Sequence, residues 1–298
     1  MAQSHILVGA DPNLSTSAIR HITPADLWDA LAKGWDDFSA MPTHAVFLCL
    51  IYPIVGLVLA GLTLGYAVVP LLYPLAAGFA LLGPIAAIGL YELSRRREAG
   101  VQVSATDALG VFASPSIGAI VALGVLLTMI FLIWVATANA IYVANFGYAT
   151  PASIGQFLHD VLATPAGWNL ILIGNGVGFL FALVVLTISA VSFPLLLDRD
   201  VGAAGALLTS VRAVLANPLP MALWGLIVAV LLAAGSLPLF LGLPVVLPVL
   251  GHATWHLYRK LVEPDPNPRP DYQPQPKGAR HAADFPAVLF PWAREDTQ

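Results

Sequence analysis

The chain has 298 residues, 58% of them hydrophobic and only 10% charged, with a net charge of −4. A soluble domain of this length carries roughly a quarter charged residues, so this composition excludes a water-covered globule, and nucleic acid is not an expected partner. The single cysteine, Cys49, excludes an intrachain disulfide and a CxxC-type metal site.

Residues 1–22 read as an N-terminal tail without regular structure. They carry no basic n-region leading directly into an apolar run, so no cleaved signal peptide is expected. Thr23-Pro24 then opens a helix, with Thr23 as cap, Pro24 in the first turn and Asp26 completing a capping box. Leu27, Trp28, Leu31, Trp35 and Phe38 fall on one face, which predicts an amphipathic helix at the membrane surface or against the protein's own bundle.

Six transmembrane spans follow, at about 45–66, 71–93, 117–143, 168–197, 219–234 and 237–257. Apart from Glu92 near the end of the second, they lie in the stretches Phe38–Tyr91, Ala108–His159, Val161–Leu197 and Ala213–Tyr258, which are free of Asp, Glu, Lys and Arg, and about 20 apolar residues suffice to cross the hydrocarbon core. A second short helix is expected over 104–113, capped by Ser104 with Asp107 three residues on. The 144–167 connection holds an amphipathic helix around Ile154–Leu162. A third surface helix spans 201–216, with Asp200 as cap and Leu207, Leu208, Val211, Val214 and Leu215 as its apolar face. Six spans place all 13 Lys and Arg residues on one side, which assigns both termini to the cytoplasm.

A threefold repeat emerges: a surface helix, an outward span, a return span with a late proline (Pro84, Pro194, Pro248), then arginine. The fold class is all-α membrane, six transmembrane helices arranged as three hairpins, each preceded by a short amphipathic interfacial helix. This membrane domain covers 23–262. Residues 263–298 form a proline-rich cytoplasmic tail with an apolar ending in which Phe285, Leu289, Phe290 and Trp292 could dock on the bundle or on a partner.

Candidate chemistry gathers at the basic end of the last span. His252 and His256 stand one helical turn apart, and Glu92 occupies the equivalent depth of the second span, so the three could hold a metal or haem. The alternative is that they hydrogen-bond loops and helix ends. Trp28, Trp35, Tyr91, Trp255, Tyr258 and Arg259 are expected as interfacial anchors. Asn175, within Gly174-Asn-Gly-Val-Gly178, sits beside small residues spaced for close helix packing. No protease elbow, HExxH, P-loop or EF-hand pattern occurs. No span has a charge at its centre, which argues against a proton pump or ion-coupled carrier.

The segments GPIAAIGLYELSRRR (83–97), PLLLDRDV (194–201) and LGHATWHLYR (250–259) resemble an uncharacterised bacterial family of predicted integral membrane proteins, a domain of unknown function. Some of its members are labelled cytochrome c oxidase subunit I-like. The resemblance covers about Leu27–Val262 and implies an inner-membrane location without an assigned activity. Three functions stay open: an accessory or assembly subunit of a larger membrane complex such as a respiratory one, a small-molecule channel or transporter, and a haem- or copper-binding protein. The first, with no cofactor and no catalytic role, is the main expectation.

Overall fold

The computed structural model describes residues 4–7, 17–41, 69–101, 103–148, 151–236 and 241–265. The expected first span at 45–66, the start of the sixth, and the docking residues Phe285, Leu289, Phe290 and Trp292 lie outside the described residues. Among those described, the named elements are all helical, and one isolated antiparallel bridge pairs Ile19 with Val262.

Among the described residues four helices are long and apolar enough to cross a membrane: Tyr73–Glu98, Ile117–Phe146, Pro165–Asp198 and Pro218–Ser236. They match the expected second, third, fourth and fifth spans. In finer detail the chain runs α1 (Ser4–Leu7), α2 (Pro24–Ala40), α3 (Val69–Phe79), α4 (Gly83–Ala86), α5 (Ile88–Glu98), a 3-10 helix Ala105–Ala113, then α6 (Ile117–Phe146) and α7 (Ile154–Ala163). It continues through α8 (Pro165–Ser189), α9 (Ser192–Asp198), α10 (Gly202–Ala216), α11 (Pro218–Ser236) and α12 (Leu243–Leu261). The C-terminal half of α12 is rich in polar residues, from His252 to Lys260, which sets it apart from the four apolar helices.

Proline explains two helix breaks. A proline lacks an N–H and its ring clashes with the carbonyl four residues earlier. For Pro84 that residue is Ala80, where the helix tightens into the 3-10 turn Ala80–Leu82. For Pro194 it is Ala190, where α8 gives way to α9 across Ala190 and Val191. Pro248 lies inside α12, which stays continuous. The late prolines thus interrupt two of the three helices that carry them and not the third.

The helices share two ends. At the basic end, Ser116 ahead of α6 donates to the Arg199 carbonyl beyond α9, and the Arg199 guanidinium bonds the Glu263 carbonyl beyond α12. Asn217, between α10 and α11, accepts from the Ile22 amide at 2.8 Å and donates to the Arg20 carbonyl at 3.0 Å. At the opposite end Tyr142 and Phe146 of α6 meet each other at 5.4 Å, Tyr142 meets Phe157 of α7 at 6.3 Å, and Asn169 of α8 donates to Asn145 of α6 at 2.7 Å. Most of the largest fully buried side chains belong to the basic end, including Phe193, Leu93, Trp255, Leu257 and Tyr258.

In both long surface helices the side packed on the protein takes in only part of the apolar face. In α2 the buried side is Leu27, Ala30, Gly34, Asp37 and Phe38, whereas Trp28 and Trp35 are 60% and 52% exposed. In α10 the buried face is the small one, Ala203, Ala206, Thr209, Ser210 and Ala213, while Leu208 and Leu215 point outward. Small side chains let α10 approach its neighbours closely, so the packed face is the one without bulk. Asp200 does not cap this helix; its N-cap is Val201, followed by Gly202 in a left-handed conformation (φ 69°). The capping boxes of Thr23 with Asp26 and of Ser104 with Asp107 form as expected.

Candidate functional site

The most connected polar cluster lies where α2, α5 and α12 meet. Its placement follows from α2: the spacing of Leu27, Ala30, Gly34, Asp37 and Phe38 makes one stripe of the helix, and that stripe packs on α12. Gly34 lies opposite Ala253, and a Cβ at position 34 would sit 2.6 Å from the Ala253 nitrogen. The close approach carries Asp37, one turn later, into the protein at 6% exposure.

One Asp37 oxygen, Oδ2, accepts from the Ser94 hydroxyl at 2.6 Å and from His256 Nε2 at 2.9 Å. The other, Oδ1, accepts from Arg97 Nη1 at 2.8 Å, and the same nitrogen donates to the Asp36 carbonyl. Ser94 Oγ also lies 2.7 Å from His252 Nδ1. Since the hydroxyl proton points to the carboxylate, Nδ1 carries the proton in that contact and donates to Oγ. The relay therefore reads His252 Nδ1–H to Ser94 O–H to Asp37, with His256 arriving from the far side. His252 is wholly buried and its Nε2 makes no hydrogen bond of ordinary length, although the Leu90 backbone lies beside the ring.

Burial pushes the Asp37 carboxyl up, but hydrogen bonds from His256 and Ser94 and the charges of His256 and His252 outweigh it. The group is held below the ordinary aspartate value and stays ionised. A buried carboxylate needs such partners, because desolvation of an unpaired charge costs several kcal/mol (order of magnitude).

The three expected ligands do not come together. Glu92 is held by Arg95 at 2.8 and 3.0 Å and by Arg96 at 2.7 Å, and Arg96 goes on to Asp107 at 2.8 Å. His252 and His256 instead converge on Asp37 from α2. Among the described residues no group of three or more His, Cys, Asp or Glu side chains is arranged to hold a metal ion. Glu92 caps off an arginine cluster, and the two histidines brace a surface helix.

Three expected surface anchors are interior residues: Tyr91, Trp255 and Tyr258 are 2%, 1% and 1% exposed. The physical reason is polar satisfaction inside the bundle. Trp255 Nε1 donates to Glu98 at 2.8 Å, and the Tyr258 hydroxyl donates to Asp198 at 2.5 Å. Arg259 bridges the same two acids, at 3.1 Å to Glu98 and 3.5 Å to Asp198. Its role is thus an ion pair between α5, α9 and α12.

The composition Ser–His–Asp invites comparison with a nucleophilic triad, but the order is different. In a triad the imidazole lies between hydroxyl and carboxylate; here the hydroxyl lies between imidazole and carboxylate. Ser94 is also fully buried. The arrangement can bind α2 to α5 and α12 and can fix protons, and it presents no nucleophile to a substrate. Asp37 and Ser94 were missed by sequence reasoning. Asp37 sits in the stripe with Leu27, Ala30 and Gly34, a signal that the bulk of Trp28 and Trp35 masks.

Residues 71–198 match the model of a family described as a predicted integral membrane protein (DUF2189). That is the kind of family the sequence resembles, over a shorter stretch than Leu27–Val262, and its description carries no oxidase label. No match is found among curated proteins or solved structures. The protein is an integral membrane protein with several apolar helices.

Proposed function

We propose that this protein is an accessory or assembly subunit of the bacterial inner membrane, crossing it six times as three hairpins with both termini in the cytoplasm. The observation that carries the reading is the contrast between its two ends. At the basic end the ionisable groups bind one another and hold the helices together. Along three of the four membrane-length helices among the described residues most of the apolar surface is uncovered: 17% of the most apolar window is buried in Pro218–Ser236, 28% in Ile117–Phe146 and 29% in Tyr73–Glu98, against 50% in Pro165–Asp198.

The uncovered faces are ordered. Val121, Val125, Met129 and Leu132 line one side of α6, and Leu226 and Val230 line α11. In lipid, helices associate through close packing and interhelical hydrogen bonds, since tails are as apolar as leucine. Such faces suit lipid on most sides and the helices of a partner on one. Six crossings are supported by the ends: Ile19 pairs with Val262, so the two ends of the membrane domain emerge together. Their lysines and arginines favour the cytoplasmic side.

Photo-crosslinking residues placed at Val125, Leu132, Leu183 and Leu226 test the reading in native membranes. One face should yield a discrete protein adduct of fixed mass, and the protein solubilised in mild detergent should migrate in a complex of matching size. Only lipid adducts at all four positions, with a free monomer in detergent, would overturn it.

A further inference from the structure

We propose that the basic end of this protein is ringed by a lipid-binding collar. In it, α2, the 3-10 helix Ala105–Ala113 and α10 lie in the leaflet at that end and direct Trp28, Trp35, Leu109, Phe112, Leu208 and Leu215 into the boundary between headgroups and acyl chains. The collar requires only an integral membrane protein and holds with or without a partner along the spans.

The three helices pack in a cycle. The 3-10 helix lies on α5 and α10 lies on α9, in each case the helix just before it, and α2 closes the cycle on α12. In turn α5, α9 and α12 touch one another, so their three companions stand around a common centre. Small residues make each contact. Gly34 meets Ala253, and a Cβ at Gly89 would lie 3.1 Å from that of Ala108. The Ser192 hydroxyl donates to the Ala206 carbonyl at 3.1 Å. Gly89 and Ala253 precede Arg95 and Arg259 by six residues, and Ser192 precedes Arg199 by seven. The three contacts therefore stand at one level relative to the basic ends of their helices.

With small residues turned inward, the bulk is left outside. Trp28 and Trp35 of α2, Leu109 and Phe112 of the 3-10 helix, and Leu208 and Leu215 of α10 are each more than half exposed. Three residues per turn align Leu109 with Phe112 on one ridge. Helix α2 runs antiparallel to α12, with Asp26 at Lys260 and Gly34 at Ala253, so Trp35 lies about 10 Å farther from the basic end along the helix than Trp28.

The repetition identifies the occupant. A protein partner docks on one side, whereas bulky apolar side chains on three sides of one end suit a medium that surrounds the molecule. Apolar helix faces carrying tryptophan settle about 5–10 Å into the headgroup–acyl boundary. The surface beside α10 has the same character. Between α10 and α6 opens a cleft of about 210 Å³ lined by apolar side chains, among them Leu7, Leu123, Leu126, Ala204 and Leu207. It suits a length of acyl chain and offers no charged group to a polar ligand.

Nitroxide labels on single cysteines test the collar, one per helix, in a Cys49→Ser background: Trp35→Cys, Phe112→Cys and Leu215→Cys. A second set, Trp28→Cys, Leu109→Cys and Leu208→Cys, guards against a label that disturbs its own site. Each protein is reconstituted in vesicles of phosphatidylethanolamine and phosphatidylglycerol. Collision of the label with oxygen, which concentrates in lipid, is compared with collision with an aqueous nickel chelate. Labels at Leu226→Cys and Glu263→Cys, both exposed, give the lipid and water references. All three helices should follow Leu226, with oxygen favoured several-fold over nickel. Nickel favoured at any one helix in both sets, as at Glu263, would overturn the collar by placing that helix in water. Exclusion of both reagents at one helix would also overturn it, by assigning that face to a second copy of the chain.

Discussion

Gly34 of α2 and Ala253 of α12 are in backbone contact: a Cβ added at position 34 would lie 2.7 Å from the Ala253 Cβ and 2.6 Å from its nitrogen. Neither atom belongs to a flexible side chain, so the helices themselves must part to admit a methyl group. The contact fixes the depth at which Asp37 enters the cluster.

Gly34→Ala should therefore destabilise the protein by about 1–3 kcal/mol, the usual cost of overpacking. Gly34→Val should release α2 altogether. Thermal unfolding of detergent-solubilised protein, with limited proteolysis within Pro24–Ala40, would show both effects; an unchanged midpoint for Gly34→Ala would remove the contact from the account.

Removing the Asp37 carboxylate leaves Arg97, Ser94 and His256 facing an empty acceptor. Breaking one side of a buried charged network costs about 3–5 kcal/mol, so Asp37→Ala should be severely unstable, and Ser94→Ala should lose about 1–3 kcal/mol through orphaned partners. The double variant should lose less than the sum, because the two share a hydrogen bond at 2.6 Å. Strict additivity in a double-mutant cycle would contradict a direct coupling.

The outer edge of the same helix pair predicts a pH dependence. Lys260 bonds Asp26 at 3.1 Å and Asp29 at 2.8 Å. The Lys260 and Lys33 hydrogen bonds bring the Asp29 carboxyl down to about 2, and its own partners raise Lys260 against the opposing effect of burial. A depressed carboxyl contributes stability above its unfolded value, near 3.9, and loses it as pH falls through the folded one; a raised lysine loses its share only in alkali. Comparing the chain with Lys260→Ala, the stability gap should be flat from about pH 5 to 8 and close between about pH 4 and 2. Because these groups are partly exposed, the gap should stay under about 1 kcal/mol and shrink in salt. A gap that widens in acid would reverse the assignment.

Asn217 ties the N-terminal segment to the α10–α11 junction through the Ile22 amide and the Arg20 carbonyl. Asn217→Ala would orphan both, at about 1–3 kcal/mol. Trypsin should then cut after Arg20 several-fold faster, with α11 still folded. Equal cleavage rates in the two proteins would assign the tether to the Ile19–Val262 bridge instead.

Sequence by itself determined the class and the main longitudinal features, because those depend on composition along the chain. Absence of charge over membrane-length stretches needs no neighbour to be read, and neither do the two capping boxes, which are local hydrogen-bond patterns. Prolines announced the interruptions near Ala80 and Ala190, since the ring acts on a carbonyl four residues back in the same helix. Side-chain direction was another matter. Trp28 and Trp35 dominated the apparent face of α2, and Leu208 and Leu215 that of α10, yet α10 packs through small residues and α2 through a stripe in which Ala30 and Gly34 stand between Leu27 and Phe38. Close approach between helices rewards the absence of bulk, which a hydrophobicity pattern scores as weak. Only the tertiary structure decided the partners of the charged groups: Glu92 could pair with His256 by register, but Arg95 and Arg96 on its own helix were nearer. Asp37 came from a helix over 200 residues away in the chain to occupy the place between the two histidines.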